Sequence, residues 1–398
     1  MHHSLRTLSS LLAILFLIAA CTPIAPGTTA APTEEERPRV VVSILPLANI
    51  VYNIGGDRID LDAIMPPGTD PHTFEPRPSD AVKLAQADLI FVNGMHLDET
   101  TMRLAEANLK DGAKLIELAA VVAGPDELIY GQEHHHGHGE MDDHEGDEHG
   151  HAEEDDHEDE DEHGHAEEDD HDDDDDEHGH AEEDGHDDDD DEHGHADEDD
   201  HEGEEGEPDP HLLLDPNFAI RYAKVIFVSL AELDPDNRDY YESNFNEYTA
   251  RLVALDEAIV AVTATIPESN RRLLTYHDSF GYFAIRYGYT VIGAIQPNDT
   301  SQPSAKEVAA LIDQLREEGV PAIFGSILFP ADVIDQIASE TGVTVSTLLD
   351  DGLPGGPDDP EHTYIGMMVQ NMRTLATALG GDPSLMDGVE VGNVPDSE

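Results

Sequence analysis

The stretch YESNFNEYTARLVALDEAIVAV, residues 241–262, decides the architecture of this 398-residue chain. Its apolar and aromatic side chains recur every three to four residues, the spacing of one face of an α-helix. The turn signal Asp234-Pro235-Asp236 precedes it, so the pattern predicts a helix of about thirty residues and roughly 40 Å. Because such a helix can cross a whole domain, we expect it to join two lobes. The face consists of Tyr241, Phe245, Tyr248, Leu252, Leu255, Ile259 and Val262.

Short strands and helices alternate on both sides of this helix. The apolar runs that predict strands are 40–45, 59–64 and 89–92 before it, and 272–276, 290–295, 321–325 and 343–349 after it. Helical patterns lie between them, among them 78–87, 216–233, 304–318 and 363–379. This alternation favours parallel sheets covered by helices. The predicted fold class is α/β, with two parallel-sheet lobes joined by one long helix.

Residues 133–207 cannot belong to either lobe. They include 17 of the 24 histidines and 43 of the 90 acidic residues, and no lysine or arginine. Between Asp142 and Pro208 the only aliphatic side chains are alanines, so the segment cannot form a packed core and is predicted to be a disordered insertion. Imidazoles and carboxylates are metal ligands, and such a segment should hold several divalent cations loosely. The alternative is a solvated acidic spacer.

The repeated His-Gly-His element favours metal binding over the spacer, since charge alone would not require histidine. The candidate auxiliary ligands are His134, His135, His136, His138, His149, His151, His163, His165, His178, His180, His193 and His195.

The N-terminus reads as a targeting segment. Arg6 supplies a positive charge, and residues 11–18 form an apolar run that is too short for a stable membrane-spanning helix. Small residues then precede Cys21, the only cysteine of the chain. This order resembles the lipobox of bacterial lipoproteins, in which the cysteine is lipidated; the alternative is an ordinary secretory signal with an incidental cysteine. Residues 22–38, rich in proline and threonine, read as a tether.

The charge of the chain argues against nucleic acid as a partner. The net charge is −71, and it is still −28 without the acidic residues of the insertion. A surface this acidic repels phosphate backbones. The predicted division is a signal peptide (1–21), a tether (22–38), a first lobe (39–132 and 208–235), the insertion (133–207), a linking helix (236–267) and a second lobe (268–398).

Three of the histidines outside the insertion lie where predicted strands end and loops begin. His72 lies in DPHTFEP, His211 in DPHLLLDP, and His277 directly after a strand. Ligands of open α/β sheets gather at the carboxyl ends of strands. The pair Asp350-Asp351, after the last predicted strand, could add a carboxylate. The remaining candidates, His96 and His362, read as surface residues.

At these residues the sequence resembles the ZnuA-like and TroA-like lipoproteins, which deliver zinc or manganese to bacterial ABC transporters. The shared features are the PHTFEP and DPHLLLDP motifs, the YHDSFGYFA and TYIGMMVQN segments and the acidic insertion, over residues 40–379. Leu213 departs from the pattern, which commonly has tryptophan there.

The resemblance implies that His72, His211, His277 and Asp351 bind one ion between the lobes, with Asp350 as the fallback. It also implies an ABC permease as partner and a lipid-anchored, extracytoplasmic location or a periplasmic one, and we expect a monomer.

Three imidazoles and one carboxylate suit Zn²⁺. Mn²⁺ favours more oxygen ligands, and manganese carriers of the family tend to have a carboxylate where this chain has His277, so we expect zinc. Asp278 or Glu75 could hold the second ring nitrogen of a ligand histidine. Two other functions compete with capture and delivery. A zinc hydrolase would need an open coordination position and a general base, and a passive metal buffer or adhesin would need only the insertion.

Overall fold

The computed structural model of the protein describes residues 37–130, 206–296, 303–328 and 331–397. Cys21, the predicted signal and nearly all of the predicted tether lie outside the described residues, as do the predicted auxiliary histidines of the insertion. Both lobes lie within one compact unit of the chain. Among the described residues, no helix is long and apolar enough to span a membrane.

The first lobe is a parallel sheet of four strands with helices around it. Its elements are β1 (Arg39–Val42), α1 (Leu45–Gly55), β2 (Asp60–Ala63), α2 (Pro78–Gln86), β3 (Leu89–Val92), α3 (Glu99–Asn108), β4 (Lys114–Glu117) and α4 (Leu118–Val122). The strand order is β2-β1-β3-β4. Val41 of β1 pairs with both Asp62 and Ile90, and the central strands β1 and β3 carry the apolar runs that a sheet covered on both faces requires.

Two helices follow the strands of the first sheet in the chain. They are α5 (Pro216–Leu233) and α6 (Arg238–Thr265), the second of which has 28 residues. The apolar face predicted for α6 is buried, except that Phe245 is half-buried and stacks on Phe227 of α5 with ring centroids 5.2 Å apart. α6 packs against α1, α5 and, from the second half of the chain, α10 (Tyr364–Leu379). It therefore links elements of both lobes.

The second lobe repeats the plan of the first. Its elements are β5 (Arg272–His277), α7 (Gly281–Tyr287), β6 (Thr290–Gln296), α8 (Ala305–Glu318), β7 (Ala322–Ser326), α9 (Asp332–Thr341), β8 (Thr344–Leu348) and α10. The four parallel strands have the order β6-β5-β7-β8. The predicted α/β class, with two parallel sheets and a long linking helix, is confirmed.

Local sequence signals account for several boundaries of the second lobe. Ser304 caps α8, and its side chain accepts from the Glu307 backbone N–H while the Glu307 carboxylate accepts from Ser304 N–H. This is a reciprocal capping box, the arrangement that Ser-x-x-Glu favours at the start of a helix. α10 ends at Gly380, whose φ of 84° lies in the left-handed region that glycine tolerates best.

The C-terminal tail returns to the first lobe. Asn393 Oδ1 accepts from Asn49 Nδ2 of α1 at 2.9 Å and from Asn53 Nδ2 at 3.1 Å. Asn49 Oδ1 in turn accepts from the backbone N–H of Tyr364 at the start of α10. These amide contacts connect the end of the chain to its first helix. The domain boundaries stay predictions.

Candidate metal centre

Four predicted site residues come from four different parts of the fold. His72 lies in the loop after β2, His211 in the turn before α5, and His277 is the last residue of β5. Asp351 follows β8. Two come from the predicted first lobe and two from the predicted second lobe, and those after strands stand at the carboxyl ends of parallel sheets. The fold therefore brings together residues that are up to 279 positions apart in sequence.

The three histidines form one cluster. His211 Nε2 lies 3.4 Å from His72 Nε2 and 3.1 Å from His277 Nε2, and one ligand atom from each histidine lies within 4.8 Å of the others. Ligands of a tetrahedral zinc ion stand about 3.3 Å apart when Zn–N is about 2.0–2.1 Å. His211 and His277 are buried and His72 is half-buried. The spacing is that of ligands converging on one ion.

One of the two candidate carboxylates faces this cluster. Asp351 Oδ2 lies 3.8 Å from His211 Nε2. The neighbouring Asp350 instead accepts hydrogen bonds at Oδ1 from Ser326 Oγ and from the Asp351 backbone N–H, each at 3.2 Å. Asp351 is therefore the carboxylate aimed at His211, while Asp350 supports the loop that carries it.

The tripeptide Asp-Pro-His occurs twice in the chain and makes the same local turn each time. Asp70 Oδ1 accepts from the His72 backbone N–H at 3.0 Å, and Asp209 Oδ1 accepts from that of His211 at 2.9 Å. Asp70 also accepts from Thr73 Oγ1 at 2.7 Å. An aspartate that bonds the backbone two residues on is a standard turn-former. The repeated DPH was thus a sequence signal for these turns.

Asp209 also contacts the ring of His211, a role that the sequence reasoning missed. Its Oδ1 lies 2.8 Å from His211 Nδ1. A carboxylate on Nδ1 directs the lone pair of Nε2 toward the cluster and orients the ring. For His211 this partner is Asp209 rather than Asp278 or Glu75.

Further contacts hold the segment that carries His211. Asn93, after β3, donates from Nδ2 to the Pro210 carbonyl at 3.0 Å and accepts from the Tyr222 hydroxyl at Oδ1. Leu213 is buried, and its carbonyl accepts from the Tyr364 hydroxyl at 2.6 Å. The segment with leucine in place of tryptophan is therefore held by Asn93 after β3, which Tyr222 of α5 supports, and by Tyr364 of α10.

The electrostatics of the cluster favour a central positive charge. Burial lowers the pKa of His211, but the hydrogen bond and charge of Asp209, with Asp351 and Asp350, outweigh it and raise that pKa to about 9. Burial raises the pKa of Asp351 to about 7 although His211 opposes the shift, and burial likewise raises the pKa of Asp350. Three Nε2 atoms this close cannot all carry protons, so a proton and a metal ion compete for the same place.

The other two histidines lie apart from this cluster. His96 has a φ of 65° and an exposed side chain whose Nδ1 lies 3.6 Å from Glu99. His362 Nδ1 donates to the Pro354 carbonyl at 2.9 Å. Among the described residues, the one group of three or more His, Cys, Asp or Glu side chains close enough to hold a metal ion consists of His72, His211 and His277.

These features define a two-lobed α/β protein with a buried histidine site suited to a divalent metal. Residues 40–378 match the family ZnuA, the periplasmic zinc-uptake complex component A. The match spans most of the chain, so the chain belongs to this family of ABC-transporter metal-binding proteins, as its motifs predict.

Known relatives cover almost the whole chain. FimA of Streptococcus parasanguinis, a metal ABC transporter substrate-binding lipoprotein, is 26% identical over 375 residues, 94% of this chain and 97% of FimA. PsaA of Streptococcus anginosus, a manganese ABC transporter substrate-binding lipoprotein, is 25% identical over 94% of this chain and 99% of PsaA. The periplasmic zinc-binding protein TroA of Treponema pallidum shares the fold, with a TM-score of 0.64 at 22% identity over 86% of this chain and 99% of TroA.

Proposed function

We propose that this protein captures Zn²⁺ outside the cytoplasm and delivers it to an ABC permease for import. The proposed ligands are His72, His211, His277 and Asp351. The observation that carries the proposal is the convergence of the imidazole nitrogens, with Nε2 atoms 3.1 and 3.4 Å from that of His211. Membership of a family of metal-binding transport components supports the delivery step.

The donor set supports zinc over manganese. Three neutral imidazoles and one carboxylate are a common zinc set, whereas Mn²⁺ prefers more oxygen ligands. The names of PsaA and of other relatives refer to manganese, so the manganese-delivering alternative has to be tested directly.

The test is a competition between the two metals on the full chain. The wild-type protein is dialysed against equal Zn²⁺ and Mn²⁺ with a chelator strong enough to strip weak sites, and the bound metals are then counted. We expect one tightly held zinc per molecule. Retention of manganese in preference would contradict the choice of metal while leaving capture intact.

A double substitution separates capture from passive buffering. His72→Ala with His211→Ala should abolish the tight zinc, because two of four ligands are lost, while the insertion stays intact. His96→Ala is the matched control and should bind like wild type, since His96 is exposed and lies apart from the cluster. A pure buffer or adhesin would keep nearly all its zinc in the double variant.

The same ligand set argues against a hydrolase. With Asp351 as the fourth ligand, the ion has no open position for an activated water, which a catalytic zinc requires.

We further propose that the protein acts as a monomer and that Cys21, which lies outside the described residues, carries a lipid anchor. Cys21→Ala should then release the protein from the membrane fraction.

A further inference from the structure

The two chain segments that flank the insertion pair with each other, and we call them the neck: residues 129–130 and 208–209. Tyr130 and Pro208 form an antiparallel bridge. The backbone N–H of Asp209 donates to the Ile129 carbonyl at 2.7 Å. The neck therefore fixes the backbone of Asp209, whose carboxylate contacts the ring of His211.

A second-lobe side chain joins both halves of the neck. The hydroxyl of Tyr282, on α7, accepts from the Ile129 backbone N–H at 3.2 Å and donates to the Asp209 carbonyl at 3.1 Å. Its ring packs edge-on against Phe218 of α5, with centroids 5.5 Å apart. One hydroxyl thus satisfies a donor and an acceptor on two segments that are 80 positions apart.

Gly281, the residue before Tyr282, allows α7 to lie close to the neck. A Cβ at Gly281 would lie 2.8 Å from Asp209 Oδ2 and 3.3 Å from Ile129 Cδ1. Real Cβ atoms essentially never stand under 3.0 Å from a neighbour. A side chain at this position would therefore push the Asp209 carboxylate away from where it contacts His211.

We infer that Gly281 and Tyr282 are positioning residues for the metal, acting through Asp209 on His211. The contacts run from α7 to the neck, from the neck to the Asp209 carboxylate, and from that carboxylate to His211 Nδ1 at 2.8 Å. Neither residue touches the site itself. This inference rests on the proposed metal-binding function and adds a contribution of the second lobe to the orientation of His211, a ligand that precedes the long helix α6 in the chain.

The experiment measures zinc release from the full chain into excess chelator by stopped flow. The phase that belongs to the site is the one that disappears in His72→Ala. Tyr282→Phe removes only the hydroxyl, and the loss of its two hydrogen bonds to the neck should speed this phase roughly two- to tenfold. Asp209→Ala removes the ring contact and should cost about 10–100-fold, as loss of the partner of a ligand histidine typically does. Asp209→Asn keeps an acceptor oxygen and should recover part of that loss.

Gly281→Ala tests the same path by a different physical change. Alanine is a better helix former than glycine, so a purely local effect would be neutral or would stabilise α7. Displacement of the Asp209 carboxylate should instead speed zinc release. For Tyr282→Phe the matched control is Tyr289→Phe. The Tyr289 hydroxyl lies 3.2 Å from Thr263 Oγ1 and makes no contact with the neck, so this variant should release zinc at the wild-type rate.

A double-mutant cycle decides whether Tyr282 acts through Asp209. If it does, Tyr282→Phe should have no further effect on zinc release in the Asp209→Ala background. An additive effect, or release from Tyr282→Phe no faster than from Tyr289→Phe, would overturn the inference. If the wild type itself lacks the phase that depends on His72, the proposed function fails instead, so the two failures are distinguishable.

Discussion

The carboxylate of Asp209 determines how His211 exchanges a proton for a metal ion. The pKa of His211 is raised to about 9 because Asp209 outweighs the effect of burial, so His211 is protonated in the metal-free protein near pH 8. Zinc binds the neutral ring. Binding near pH 8 should therefore release about one proton from His211, and between about pH 7 and 9 the affinity should rise roughly tenfold per pH unit before it levels off.

Calorimetry in two buffers of different ionisation enthalpy measures this proton release. His211→Ala, with the insertion intact, supplies the background of proton release from all other groups. Zinc binding near pH 8 with the same proton release in His211→Ala as in wild type would contradict the assignment. The stability of the metal-free protein should change with pH in the opposite direction. The raised pKa of His211 contributes to the free energy of unfolding below about pH 6.5, and this contribution is lost as the pH rises through about 9.

At the scale of elements, the buried face of α6 connects the two lobes. Leu255 is fully buried, whereas Val260 on the same helix is half exposed. Leu255→Ala leaves a cavity and should lower the free energy of unfolding by about 2–5 kcal/mol. Val260→Ala should change it by less than about 0.5 kcal/mol. Urea denaturation of both variants checks this, and equal effects would show that α6 is not packed along its predicted face.

Elements with strong periodicity could be predicted and weakly patterned ones could not. α5 and α8 begin and end where caps and apolar spacing place them. The sequence reasoning missed α3, β4 and α4. In α3 only Thr101 and Ala105 are fully buried, β4 is the four-residue edge strand KLIE, and α4 has five residues. Such elements are stabilised by neighbours rather than by their own pattern.

At the scale of the whole molecule, the neck makes the insertion separable from the folded part. Deleting 133–207 would leave Gly131 and Gln132 between the bridged residues Tyr130 and Pro208. A two-residue hairpin loop with glycine first suits a type II′ turn. The deleted protein should keep one tight zinc and lose only weaker binding, as zinc titration calorimetry on both proteins will show. Loss of the tight site on deletion would contradict a two-tier arrangement.

The sequence by itself determined the α/β class, the long helix, the separate acidic insertion and the residue types of the candidate site. These properties follow from local periodicity, composition and the rule that ligands gather at strand ends. Only the tertiary structure decided which side chains face one another. It placed the three imidazoles within reach of one ion, turned Asp351 rather than Asp350 toward His211, and set Asp209 against the His211 ring. The contacts among the three imidazoles and Asp351 join residues distant in sequence, so they depend on how the lobes pack, and no local pattern encodes them.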